Sequence, residues 1–126
     1  MNGARSLISA FHEINRSEDK SIAYFTPSLI GMFGSSSIFD SFLTEIDTAM
    51  ASGKMPASIK KRAANLIGTF IPQVAEYNGI KNPAERIVTT DELRGISKES
   101  LETRRNGVEI ILSALITILK EASEMN

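Results

Sequence analysis

Apolar residues recur along this chain at spacings of three and four, the repeat that lines one face of an α-helix. Residues 3–16 place Ala4, Leu7, Ile8, Phe11 and Ile14 on one such face. Residues 37–52 repeat the pattern with Ile38, Phe39, Phe42, Leu43, Ile46, Ala49 and Met50. Ser35, Ser36 and Ser37 each offer a side-chain oxygen for the helix start, and Asp40 stands three residues after Ser37 in a capping-box position. Gly53 is the natural stop. A third run, 56–78, opens at Pro56 and carries Ile59, Ala63, Leu66, Ile67, Phe70, Ile71, Val74 and Tyr77 before Asn78-Gly79. Pro72 lies inside it. Proline lacks a backbone N–H and its ring crowds the preceding turn, which predicts a kink or break near Gly68 to Phe70. Residues 80–88 read as a connection. Thr89 with Glu92 spells a capping box for a short helix ending at Gly95, and Ser97 caps a last helix over 97–124. The pattern predicts an all-α, single-domain bundle with four main helices (3–16, 37–52, 56–78 and 97–124) and one or two short ones.

The segment between the first two helices is harder to place. Ser17 to Ser21 is a polar break, and residues 22–33 are apolar, with Pro27 inside them and Gly31 and Gly34 late. Thr26 as N-cap, Pro27 in the first helical position and Gly34 past the end make one short helix. A brief strand over 22–26 is the alternative, although no partner strand is evident. One reading of this stretch is a loop folded over the end of the bundle; the other, since solvent-exposed apolar patches mark contacts, takes Tyr24, Phe25, Leu29 and Phe33 as partner-facing residues.

The last helix has an unusual pattern. At about 100° per residue, Ser113, Thr117 and Lys120 fall within roughly 80° of Glu109. Val108, Ile110, Ile111, Leu112, Ala114, Leu115, Ile116, Ile118 and Leu119 cover the remaining circumference. A helix apolar over so wide an arc is either the centre of its own domain or shared with a second copy. Ile110, Ile111, Leu115 and Ile118 are accordingly read as contacts with a partner chain, a homodimer among the options.

Composition narrows the classes. With 126 residues, 42% apolar and 23% charged, the chain has the makings of one globular domain. Fourteen Lys and Arg against fifteen Asp and Glu leave a net charge of −1. That balance removes the global argument for a nucleic-acid or membrane-surface partner, both of which favour a basic excess. The absence of cysteine excludes disulfides and thiolate chemistry. The apolar stretch Leu7 to Phe11 is too short for a secretory h-region, and no apolar run approaches the roughly 20 residues of a spanning helix. A cytoplasmic location is the default.

Candidate chemistry is sparse. His12 is the only histidine, and His12-Glu13 begins an H-E-x-x-H zinc motif that Arg16 breaks. Neither a nucleophile-elbow G-x-S-x-G nor a phosphate-binding glycine loop occurs. The reading therefore assigns no catalytic, cofactor-binding or metal-ligating residue. Two stretches carry resemblances. His12 to Asn15 within Phe11 to Ser17 resembles the phosphoacceptor box of sensor histidine kinases, H-E-[IL]-[RN]-x-P, with Ser17 in place of the proline. That resemblance implies that His12 accepts phosphate with Glu13 as its base. Asp91 to Gly107 resembles the turn and recognition helix of a helix-turn-helix. It implies Gly95 as the turn glycine, Ile96 and Leu101 as core contacts, and Lys98, Arg104 and Arg105 facing DNA. Asp91 and Thr90 stand there at positions usually apolar, and Glu99 and Glu102 would face phosphates. Lys54, Lys60, Lys61 and Arg62 cluster at the start of the third helix, where cations oppose the helix dipole, and are a further candidate nucleic-acid contact.

The functional expectation is a non-catalytic helical module for protein–protein interaction or self-association: an adaptor, an inhibitor or immunity-type protein, or a structural subunit. A DNA-binding regulator using residues 90–107 is the second reading, and a phosphotransfer bundle using His12 is the third. Circular dichroism tests the periodicity on which all three rest. It should show helix over well more than half the chain with negligible sheet, and helix near the globular average of about a third would contradict the bundle.

Overall fold

Helix boundaries follow the capping residues closely. The computed structural model describes residues 3–16, 33–96 and 101–125, with side chains for 4–13, 33–96 and 106–125. Helix α1 spans Gly3–Arg16 and α2 spans Ser36–Ser52. Ser35 is the residue that caps α2: its side chain accepts from the N–H of Ile38, while Asp40 is free to reach elsewhere. Gly53 ends α2 in the left-handed region at φ 78°, which an L side chain resists and glycine takes freely. All of the short helix expected over 26–33 except Phe33, and the capping role of Ser97, fall outside the described residues. So do Tyr24, Phe25, Leu29 and Lys98, and the side chains of Leu101, Arg104 and Arg105.

The third predicted helix is interrupted where Pro72 requires it. Helix α3 spans Ala57–Asn65, a π-helical turn spans Leu66–Phe70, and α4 spans Ile71–Tyr77. In the π-turn the N–H of Ile71 reaches five residues back, to the carbonyl of Leu66. That one-residue insertion absorbs the donor missing at Pro72 without breaking the axis. It also rotates everything after it. The buried positions run Ala63 and Leu66, then step five residues on to Ile71, Val74 and Ala75. An uninterrupted helix would instead have buried Phe70 and Tyr77, as the periodicity predicts. Both are turned outward, and Tyr77 is 81% exposed.

A 3₁₀ turn, Pro83–Glu85, follows within the connection. Helix α5, Thr90–Arg94, begins with both halves of the predicted capping box in place between Thr89 and Glu92. Helix α6 spans Leu101–Glu124. No strand occurs among the described residues, and the helices share one hydrophobic core.

Helix α6 is the centre of that core. Helices α1, α3, α4 and α5 and the 3₁₀ turn all pack on it, while α2 lies against α1. Phe39 of α2 meets Phe11 of α1 and Phe33, each with ring centroids 4.8 Å apart, and Phe33 also contacts Phe42 at 5.8 Å. Phe33 is thus a core residue, not the partner contact expected of it. Where α5 ends, Ile96 approaches α6 over Gly107; a Cβ on Gly107 would lie 3.1 Å from the Ile96 Cγ2.

The chain wraps α6 by itself. Ile110, Ile111, Leu115 and Ile118, read from the sequence as contacts with a second chain, are all buried within the single subunit. Even Ser113, on the arc predicted to be polar, is 1% exposed, and its hydroxyl has no hydrogen-bond partner. Sequence periodicity could not anticipate this, because the cover comes from the 80–88 connection as well as from the main helices. Replacing Ile118 with Glu places an unpaired carboxylate in the core, and the variant should unfold or lose more than about 3 kcal/mol in denaturant titration. A folded, undestabilised Ile118→Glu chain would show instead that this flank is open to a partner.

Candidate functional site

Three polar or solvent-facing places stand apart from the core. The first joins α1 to α2. His12 lies beside Phe11 on α1, and its Nε2 is 2.8 Å from Asp40 Oδ2 of α2. This is where Asp40 goes in place of its predicted capping role. The other Asp40 oxygen, Oδ1, is buried without a partner. For a phosphoacceptor role the arrangement leaves His12 with one ring nitrogen already engaged by a carboxylate. The adjacent Glu13 lines a polar cleft bounded by α1, α2, α5 and α6.

The second place is a clasp built on Arg86, a residue the sequence reading left inside an unremarked connection. Its Nη2 pairs with Glu92 Oε2 of α5. Its Nη1 donates to Glu109 Oε1 at 3.0 Å and Asn106 Oδ1 at 3.2 Å, both on α6. Glu92 meanwhile uses Oε1 to accept from the backbone N–H of Thr89. One carboxylate therefore closes the capping box and holds the arginine. Burial works against the charge on Arg86, but the hydrogen bonds to Glu92 and Glu109 outweigh it and hold its pKa above the ordinary value. The hydrogen bond from Arg86 in turn draws the Glu92 carboxyl below its ordinary value, against the opposing effect of desolvation. An arginine between two carboxylates from two helices is a fastening, and it accounts for the connection lying along the Glu109 side of α6.

The third place is the surface around the π-turn. On one side, Ile67, Ile71, Pro72, Ala75, Ile80, Pro83 and Ile116 line a mostly apolar groove of 620 Å³, with Glu76, Lys81 and Glu85 among its polar members. Elsewhere on the same helix, Phe70 and Tyr77 lie two turns apart on one outward stripe. Ile87, beyond the 3₁₀ turn, is 89% exposed. The sequence held one signal for this surface, Pro72, but not the direction in which the faces would rotate.

The remaining candidates scatter. In the basic cluster, Arg62 stacks over the Phe42 ring at 4.6 Å and helps hold α3 to α2, while Lys54 and Lys61 are exposed and Lys60 is half-buried. In the helix-turn-helix-like stretch, Ile96 is buried as that resemblance implies, the first helix is five residues long, and Gly95 sits at φ −92°, a conformation open to any residue. Among the described residues no group of three or more His, Asp and Glu is placed to hold a metal ion. None of their helices is long and apolar enough to cross a membrane. Compared with known proteins, the chain matches no family model, no curated protein and no solved structure.

The Arg86 clasp makes stability depend on pH in a definite direction. A carboxylate with a depressed folded-state pKa contributes stability that is present above its unfolded pKa, near 4.5, and lost as pH falls through the lower folded value. Denaturant midpoints of the native chain should therefore fall between about pH 5 and pH 3. Glu92→Gln should be less stable at neutral pH and lose less on acidification. An identical acid slope in both proteins would show that Glu92 is not coupled to folding.

Proposed function

We propose that this chain is a non-catalytic interaction module that binds another protein through the surface around its π-turn. The observation that carries the reading is the outward stripe of Phe70 and Tyr77, with Tyr77 81% exposed. Aromatic side chains at such positions are unfavourable in water and are the residue types that anchor protein interfaces. The apolar groove beside them and the exposed Ile87 extend the same surface. The near-neutral net charge also favours a protein partner over a nucleic acid.

Self-association through α6 has lost its basis, because the four α6 residues assigned to it are covered by the chain's own helices. We take the partner to be a different protein that presents apolar side chains to α3–α4.

The test is photo-crosslinking in the native cells. A benzophenone side chain at position 77, where the aromatic ring already faces solvent, should give one discrete adduct heavier than the chain. The same group at exposed Ala51 on α2 should not. Replacing Ile87 with Asp should weaken the adduct. An adduct of twice the chain's mass would redirect the reading to self-association, and equal labelling from both positions would overturn it.

A further inference from the structure

The groove of 620 Å³ beside the π-turn has two walls. One is formed by the π-turn and α4, the other by the connection from Gly79 to Glu85, and Ile116 of the central helix completes it. Along the first wall Ile67, Ile71 and Ala75 recur at intervals of four, the kind of ridge that packs into the face of another helix. From Ile67 to Gly79 this wall runs about 18 Å at 1.5 Å per residue, or some three helical turns.

The lining decides the form of the occupant. Its polar side chains, Glu76, Lys81, Asn82 and Glu85, are all exposed, and none of the buried side-chain atoms without a hydrogen-bond partner belongs to it. An extended peptide laid in the groove would set its backbone N–H and C=O groups against Ile, Pro and Ala side chains that offer no hydrogen bonds. An α-helix satisfies its own backbone and brings only side chains to the contact. Other common ways of binding a peptide need an open sheet edge, an aromatic trough for polyproline or an arginine cluster for acidic motifs. Among the described residues there is no strand, no aromatic side chain lines the groove, and Lys81 is the one cation on its lining.

Charge gives the occupant an orientation. The α4 wall carries a single charged side chain, Glu76, whereas the connection carries one of each sign, Lys81 and Glu85. None of the three is in an ion pair with another described residue. The connection is therefore balanced, and the α4 wall favours a cation.

We propose that the groove receives an amphipathic helix of the partner protein. Apolar side chains one turn apart lie against Ile67, Ile71, Ile80 and Ile116, and a lysine or arginine on one edge of the helix stands beside Glu76. This rests on the reading of the π-turn surface as a partner site, and it specifies which part of the partner meets that site.

The probe is a lactam-bridged helical peptide of about 14 residues, enough to span the wall. It carries leucines along one face and lysines along one edge of that face. A second peptide has glutamates in place of the lysines, and a third has the first one's composition scrambled. Each is titrated into the full chain carrying ¹³C-labelled isoleucine δ1 methyls. The lysine-edged peptide should move the signals of Ile67, Ile71, Ile80 and Ile116 saturably and leave Ile46, buried in α2, in place. The glutamate-edged peptide should bind roughly threefold more weakly, the effect of an exposed ion pair. Glu76→Lys, at an exposed position, should reverse that order. Groove methyls that neither peptide moves, equal movement by the scrambled peptide, or an order that Glu76→Lys leaves unchanged would overturn the proposal. So would groove signals that shift on dilution of the chain alone, which would assign the groove to a second copy. Unmoved methyls together with a discrete adduct from position 77 would remove the helix and leave the wider surface standing, whereas saturable movement without any adduct would remove that wider reading instead.

Discussion

Helix α6 is apolar around most of its circumference, and the rest of the structure is arranged to cover it. A surface helix needs cover on one stripe, which one or two neighbours supply. Here Val108 through Leu119 leave almost no direction that water can occupy without cost, each large side chain contributing roughly 1.5 to 3 kcal/mol when fully buried. Four helices and a 3₁₀ turn meet that demand. The 80–88 connection is drawn in for the same reason, with Ile80, Pro83 and Val88 buried along it. Arg86 enters with it and meets Glu109, the polar residue of α6 that this arrangement would otherwise leave poorly solvated. Ser113 is the residue of that arc with no such compensation. Its hydroxyl stays without a partner, while its carbonyl accepts from Thr117 one turn later.

A second constraint acts locally and has distant effects. Pro72 lacks one donor, and the π-turn at Leu66–Phe70 accommodates the loss within a continuous helix. The inserted residue changes which side chains face α6. Ile71, Val74 and Ala75 take the inward positions, and Phe70 and Tyr77 are expelled. The core loses two aromatics to solvent and keeps smaller β-branched and Ala residues against α6. A surface with interaction character thus arises from a backbone requirement, without any change in overall composition.

The charged residues divide into fastenings and open positions. Arg86, His12 and Arg62 each tie one element to another, through Glu92 and Glu109, Asp40, and the Phe42 ring respectively. Two of these residues, His12 and Arg62, were candidates for chemistry or nucleic-acid binding in the sequence. Their contacts give them structural work that the sequence could not reveal, because each partner lies on a different helix. Glu13, Asp47 and Glu121 converge on one cleft from helices far apart in the chain, where Arg5 and Arg94 stand beside them and Arg5 lies 3.7 Å from Asp47.

Features governed by local rules were legible in the sequence. The start of α2 in the Ser35–Ser37 run, the stop at Gly53, the Thr89–Glu92 capping box and the disturbance upstream of Pro72 all depend on residues within one or two turns of each other. The central character of α6 was legible too, since periodicity alone shows how much of a helix is apolar. What covers α6 was not. Whether Ile110 and Ile118 meet the chain's own helices or a second copy depends on packing between segments distant in sequence, and so does the fate of Ser113. The same holds for the outward turn of Phe70 and Tyr77. Periodicity assumes a constant 3.6 residues per turn, and one π-turn, stabilised by the core on its far side, invalidates that assumption for every residue after it.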